Sequence, residues 1–205
     1  MVFPMLAWPA ELHEDHFKLL DETRLPEETV YVHITNYHQA AQAIRDMKTR
    51  AFGQLLTVFY SLVLTARQTE DLPGTIQQAC TELKTSRPTF AFSRYTDMVS
   101  GWVGQSASPE TLVDLILDYL EKIKTMRLAR AQAAADLFED GDRVLTHCNT
   151  SGELLLTARI CREQGKELRF YATETRPYFQ GRLTAWEMSR DGFEITLIPD
   201  NRAAG

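Results

Sequence analysis

The stretch Arg143-Val144-Leu145-Thr146-His147-Cys148-Asn149-Thr150-Ser151-Gly152 decides how the rest of the chain is read. Val144-Leu145 begins a short apolar strand that runs straight into a polar tip. A helical pattern follows over about 152–164, with Leu154, Leu155, Ala158, Ile160 and Cys161 at helical spacing. Further on, Leu168-Arg169-Phe170-Tyr171-Ala172 reads as a second strand. A helix over about 180–190 stops at Asp191-Gly192, and Phe193-Glu194-Ile195-Thr196-Leu197-Ile198 reads as a third strand. This β-α-β-α-β order predicts an α/β fold with a parallel sheet and right-handed crossovers. In such sheets ligands sit at the C-terminal ends of strands and at the N-termini of the helices that follow.

Upstream the periodicity changes. Residues 1–16 look irregular. Phe17-Lys18-Leu19-Leu20 and Thr29-Val30-Tyr31-Val32-His33-Ile34 read as strands joined by a polar connection over 21–28, which predicts a β-hairpin or meander. Thr35 or Asn36 can cap a helix over about 37–49, with Ala40, Ala43, Ile44 and Met47 on one face. Arg50-Ala51-Phe52-Gly53 interrupts that pattern, and Leu55 to Ala66 reads as a buried helix. Asp71-Leu72-Pro73-Gly74 reads as a turn before a helix over about 75–84. Ser86-Arg87-Pro88-Thr89 breaks that helix, and another follows over about 90–104. Ser108-Pro109-Glu110 opens a long helix that reaches about 138. Glu139-Asp140-Gly141-Asp142 marks the expected boundary, giving a mostly helical domain with a small hairpin over 1–139 and a parallel-sheet domain over 140–205. A parallel sheet is normally covered on both faces. The expectation is therefore a fragment, a processed chain with its C-terminal piece as a separate chain, or half of a tight assembly.

Composition narrows the function. The 205 residues are 44% hydrophobic and 24% charged, with a net charge of -6 and no Lys/Arg block. That balance argues against a nucleic-acid or membrane-surface binder. Cys80, Cys148 and Cys161 have neither metal-ligand spacing nor even pairing, which fits a reducing compartment and no metal. The N-terminal residues lack the basic region of a signal peptide, so the expected location is cytoplasmic.

Three polar tips follow the three strands: Thr146-His147-Cys148-Asn149, Thr173-Glu174-Thr175-Arg176-Pro177 and Asp200-Asn201. A parallel sheet brings them to one edge. Cys148 and Asp200 make an acid/base pair there, and Arg176 and Gln180 suit an anion or a sugar hydroxyl. Arg50 and Arg87, at breaks between helices, suit phosphate binding. Each residue also has a plainer reading. Cys148 is equally a small core residue, Asp200 a helix cap, Arg50 and Arg87 surface arginines, His147 a structural histidine and Glu174 only a partner of Arg176. Cys80 and Cys161 lie on apolar helical faces and read as core, and Trp102 and Trp186 read as packing.

These residues resemble the methylthioribose-1-phosphate isomerase family, which is related to ribose-1,5-bisphosphate isomerases and to regulatory subunits of the translation-initiation exchange factor. The resemblance is carried by Thr146-His147-Cys148-Asn149, by Glu174-Thr175-Arg176-Pro177 with Gln180-Gly181, by Arg182-Leu183-Thr184-Ala185-Trp186-Glu187 and by Asp200-Asn201. Leu19 to Pro26, Ala43 to Met47 and Ser86 to Thr89 extend it over nearly the whole chain from residue 17. It implies a helical domain followed by a Rossmann-like domain, commonly in a homodimer. It also implies an aldose–ketose isomerisation of a phosphorylated pentose, methylthioribose 1-phosphate, in methionine salvage and without a cofactor. Cys148 and Asp200 would then be catalytic, while Arg50, Arg87, Gln180 and Asn201 would hold substrate and phosphate. The chain departs from the family's usual Arg-Gly-Ala-Pro at Arg50-Ala51-Phe52-Gly53, and the family's Asn-Lys motif, expected downstream of Asp200, lies beyond its end. Two other readings follow from these departures: a non-catalytic regulatory or sugar-phosphate-binding member, and an isomerase for another 5-substituted ribose 1-phosphate.

Overall fold

A computed structural model describes residues 2–106 and 108–203. The chain divides into two compact units. One holds residues 1–8, 25–27 and 124–205, and the other holds 9–24 and 28–123.

The second unit begins with an antiparallel meander of β1 (Ala10–Leu12), β2 (Phe17–Leu20) and β3 (Tyr31–Ile34). Phe17 pairs with both Leu12 and Ile34. β1 lies where sequence suggested irregular chain. Three residues between Pro9 and an acidic turn carry no readable alternation, and Pro9 joins the meander through its carbonyl, which accepts Leu20 N–H at 2.8 Å.

Helix α1 (Tyr37–Arg45) starts at Asn36, whose side chain accepts Gln39 N–H at 3.0 Å. It stops four residues short of the expected end. Met47 takes a φ of 55°, and the next two residues are drawn away. Lys48 gives its carbonyl to Glu22 N–H at 2.7 Å and its ammonium to Asp21 at 2.8 Å, while Thr49 bonds Glu22. Helix α2 (Ala51–Gln68) begins at the expected interruption and is the centre of this unit, buried at every residue from Gly53 to Ala66. Its mostly apolar surface suits a core position, and the buried hydroxyls of Thr57, Ser61 and Thr65 each donate to a carbonyl of the helix itself. Phe59 meets Tyr95 and Tyr119, and Tyr60 meets Phe17. Helix α3 (Leu72–Thr85) takes up the expected turn as its own first residues, because Asp71 caps it by accepting Gly74 N–H at 3.2 Å. Helix α4 (Phe92–Val103) and the first part of α5 (Pro109–Leu137) complete the unit.

The other unit carries the remainder of α5 and a parallel sheet in the order β4 (Arg143–Thr146), β5 (Arg169–Thr173), β6 (Ile195–Ile198). Helices α6 (Glu153–Glu163) and α7 (Gln180–Arg190) connect the strands. Leu155 and Ala158 of α6 and Met188 of α7 bury Phe170 of β5, flanked by Val144 and Ile195. A second cluster joins α5 to α6 through Ala131, Ala135, Leu156 and Cys161, with Ala7 of the N-terminal segment in it. Cys161 and Cys80 are core residues, as their helical spacing predicts. Leu145, on the strand face away from Val144, stays 50% exposed. Among the described residues no helix is long and apolar enough to cross a membrane.

Candidate active site

The parallel register places Thr146, Ala172 and Leu197 side by side, so the three polar tips leave one edge of the sheet together. Their backbone is sharply turned. Cys148, Thr175 and Phe179 all take positive φ, at 67°, 60° and 51°, and the Arg176–Pro177 bond is cis. The left-handed φ values are costly for residues with a side chain and persist only where the surroundings over-determine them.

Thr175 is the pivot. Its Oγ1 accepts Cys148 N–H at 2.8 Å, and its own N–H donates to Asp200 at 2.7 Å. The other Asp200 oxygen accepts Arg176 N–H at 2.8 Å. One threonine and one carboxylate thus tie the tips of all three strands. The amides of Arg176 and Thr175 hold the Asp200 carboxyl below its ordinary value, with the Thr173 hydroxyl adding to them. Thr184 of α7 donates to the Cys148 carbonyl at 3.0 Å. His147 meets Thr173 Oγ1 at 2.6 Å.

The start of α7 fixes the same edge from the other direction. Gly181 sits so close to β5 that a Cβ there would lie 1.6 Å from the Thr173 carbonyl oxygen. Gln180 accepts from Asn149 Nδ2 at 3.4 Å. Glu174 is engaged as the plainer reading expected, bonded by Arg176 Nε at 2.7 Å and approached by Arg182 at 3.3 Å. The Arg176 hydrogen bond is the main reason its carboxyl lies below the ordinary value. Arg182 also covers the Phe179 ring at 4.0 Å. Asn201 is exposed in the 3-10 turn that starts at Asp200. Among the described residues no group of three or more His, Cys, Asp or Glu side chains is placed to hold a metal ion.

Arg50 and Arg87 belong to the other unit, where they share one polar network. Arg50 is the N-cap of α2, extended and without a side-chain cap bond. Its N–H donates to Glu22 Oε1 at 3.0 Å, beside Thr49 Oγ1 at 2.5 Å. Arg87, between α3 and α4, donates to Gln54 Oε1 at 2.6 Å, and Gln54 Nε2 donates to the Thr49 carbonyl at 2.9 Å. Burial pushes the Glu22 carboxyl above its ordinary value despite these bonds. Gly53 is required by this network, since a Cβ would lie 1.8 Å from Thr49 Oγ1. The amides at the start of α2 offer donors and a positive dipole end beside Arg50. Thr175, Glu22 and Gln54 are the site residues that sequence reading missed. Their polar atoms turn inward, and only the placing of Arg50 and Arg87 at breaks between helices hinted at such a network.

The sequence matches the initiation factor 2 subunit family over residues 46–205. A methylthioribose-1-phosphate isomerase of Fervidobacterium nodosum is 35% identical over 210 residues, covering 92% of this chain and 60% of its own length. A protein of the same name from Desulforudis audaxviator is 34% identical, covering 90% and 59%. The chain thus spans about 60% of the length of these curated relatives. Among solved structures, translation initiation factor eIF-2B, subunit delta, from A. fulgidus superposes with a TM-score of 0.81 at 31% identity, covering 98% of this chain and 63% of its own. The 5-methylthioribose 1-phosphate isomerase from Pyrococcus horikoshii OT3 gives 0.82 at 24% identity, covering 99% and 64%, and speaks for the fold alone.

Proposed function

Because the chain belongs to the initiation factor 2 subunit family, we propose that it is part of an aldose–ketose isomerase acting on methylthioribose 1-phosphate in methionine salvage. The relatives that carry this name, at 34–35% identity over about nine-tenths of the chain, support the substrate class. The observation that carries the reading is the pair of bonds at Thr175, from the Cys148 N–H and to the Asp200 carboxylate, which brings the two residues to one edge of the sheet.

The reaction sets the requirements. A sugar phosphorylated at C1 must open its ring before hydrogen moves from C2 to C1. The ring oxygen gains a proton as its bond to C1 breaks, and the C2 hydroxyl loses one as the ketone forms. Substrate and product are isomers, so each proton taken is returned. Asp200, held as a carboxylate, is suited to accept rather than donate, which leaves Cys148 as the donor of the pair. The two groups are unequal. Both Asp200 oxygens already accept backbone N–H groups, so only their remaining lone pairs face a substrate. Its first duty is to hold Thr175. Arg50 and Arg87 take the phosphate in this proposal, with Gln180 and Asn201 for the remaining oxygens, and the working assembly is a homodimer.

The test is a proton NMR assay of the full natural protein with methylthioribose 1-phosphate, alongside Cys148→Ser and Asp200→Asn. Ketose from the wild type that vanishes in Cys148→Ser supports the reading, and full activity in that variant would sink it. Asp200→Asn separates the two duties: lost turnover with an unchanged Cys148 alkylation rate marks proton transfer, and a change in both marks the anchor. The second reading, a non-catalytic regulatory member, draws on the 31% identity to a translation initiation factor subunit. Sugar-phosphate binding by calorimetry without turnover would favour it, or an isomerase for another 5-substituted ribose 1-phosphate.

A further inference from the structure

Arg127 is a basic residue that the proposed chemistry leaves unused. It lies on the part of α5 that belongs to the same unit as the parallel sheet, and only 4% of it is exposed. Its Nη2 donates to the Ser151 carbonyl at 2.6 Å, and its Nη1 lies 3.1 Å from Glu153 Oε1. Burial pulls its pKa down to about 10, so it is still a cation at neutral pH.

The segment it grips is the one that carries the thiol. Between Cys148 and α6, Ser151 and Gly152 take φ of 52° and 69°, so three of these five residues lie in the left-handed region. Ser151 N–H is turned back onto Asn149 Oδ1 at 2.8 Å. Gly152 is pressed against the N-terminal segment, where a Cβ would lie 2.5 Å from Ala7 N. A chain turned this way relaxes unless it is held at its far end. Cys148 itself is held at its near end, by Thr175 and Thr184. A guanidinium fork suits the other end because it reaches a carbonyl and a carboxylate at once in fixed geometry.

We propose that Arg127 is a positioning residue for Cys148, clamping the Cys148–Gly152 loop to the first turn of α6 through Ser151 and Glu153. It deepens the reading of Cys148 as the reacting group, on which its catalytic consequence rests. Its effect on the thiol does not depend on that reading.

The thiol can be followed directly. Cys80 and Cys161 are buried at 3% and 1% exposure, and burial pushes both thiols up. Alkylation by iodoacetamide, located by peptide mass spectrometry in the full natural protein, therefore reports on Cys148. In Arg127→Met, Cys148 is expected to react about tenfold faster, the scale of one lost charged hydrogen bond, and with a shifted pH–rate profile. Arg127→Lys keeps the charge without the fork and is expected to fall between. Arg130→Gln removes an exposed arginine that also meets Glu153 and is expected to leave the rate unchanged. If the isomerase reading holds, Arg127→Met lowers kcat by a similar factor and leaves KM within about twofold.

A lower melting temperature in Arg127→Met with a wild-type alkylation rate and pH profile overturns the proposal, since that is what a merely structural arginine gives. Should Arg127→Met fail to fold, a wild-type rate in Arg127→Lys overturns it equally. Absence of turnover in the wild type would count against the isomerase alone, because alkylation is measured without substrate.

Discussion

The two polar clusters hold their geometry by different means. Around Arg50 and Arg87 the shape comes from side chains: a buried carboxylate, Glu22, and an amide, Gln54, each bonded on more than one side. Around Cys148 it comes from backbone, with turned residues pinned by Thr175, Asp200 and Arg127. A side-chain network is specified by residue types and fails when a partner is removed. A backbone framework is specified by conformation and fails when a chain cannot approach or turn. Substitutions in the two regions should therefore respond to different chemistry.

The largest effect is expected from Gly181→Ala. Its Cβ would meet the Thr173 carbonyl, a backbone atom that cannot swing aside. Either α7 moves off β5 or the strand tip shifts, at about 3 kcal/mol or more. Urea unfolding should show the loss. A change under about 1 kcal/mol would mean that the α7 start adapts freely, and the claim of a backbone-built site would break.

The next effect lies in the other cluster. Glu22→Ala leaves the Thr49 hydroxyl and the Arg50 N–H without their acceptor in a buried setting, at about 2 kcal/mol. Glu22→Gln keeps an acceptor oxygen and should be far milder. The pH dependence separates charge from hydrogen bonding. The folded-state carboxyl is raised above its ordinary value of 4.5, so the unfolded chain ionises first. Stability therefore falls as pH rises from about 4.5 through the folded pKa. Wild type should gain on Glu22→Gln as pH is lowered from 7 toward 5. Parallel curves for the two proteins would show that Glu22 carries no burial strain.

Asp200 gives the opposite sign. Its folded pKa lies below the ordinary 3.8, so its contribution is present above that pH and is lost as pH falls through the folded value. In an NMR titration the amide protons of Thr175 and Arg176 should shift together, with one midpoint below 3.8. A midpoint at or above the ordinary value, or two separate ones, would dissolve the anchor.

How far sequence alone reaches follows the same division. The alternation of Val144-Leu145, Leu168 to Ala172 and Phe193 to Ile198 with helical runs is a pattern of side chains, and it gave the parallel sheet and its converging tips. Asn36, as a cap, and Cys80 and Cys161, as core, were legible for the same reason. The pivot at Thr175 was not, because nothing in its type announces a φ of 60° or a bond to the amide of Cys148. Glu22 was read as part of a polar connection, since a buried carboxylate looks like a solvated one until its partners, 27 and 28 residues away, fold against it. The early end of α1 has the same cause: Lys48 and Thr49 are claimed by the Asp21–Glu22 corner, a tertiary pull that outweighs helical periodicity.

The smallest expected effect sharpens the side-chain half of the contrast. Arg87 bonds Gln54, and Gln54 in turn bonds the Thr49 carbonyl, so the arginine acts on the start of α2 through one amide. Arg87→Met strands the buried Gln54 oxygen and should lower stability by about 1 kcal/mol. Gln54→Leu removes that oxygen but abandons the Thr49 carbonyl, with a similar loss. If the two residues work as one network, the double variant should lose less than the sum of the singles, by about 0.5–1 kcal/mol. Strict additivity in urea unfolding would mean that Arg87 and Gln54 act separately, and that Arg87 is free to turn to a phosphate without disturbing α2.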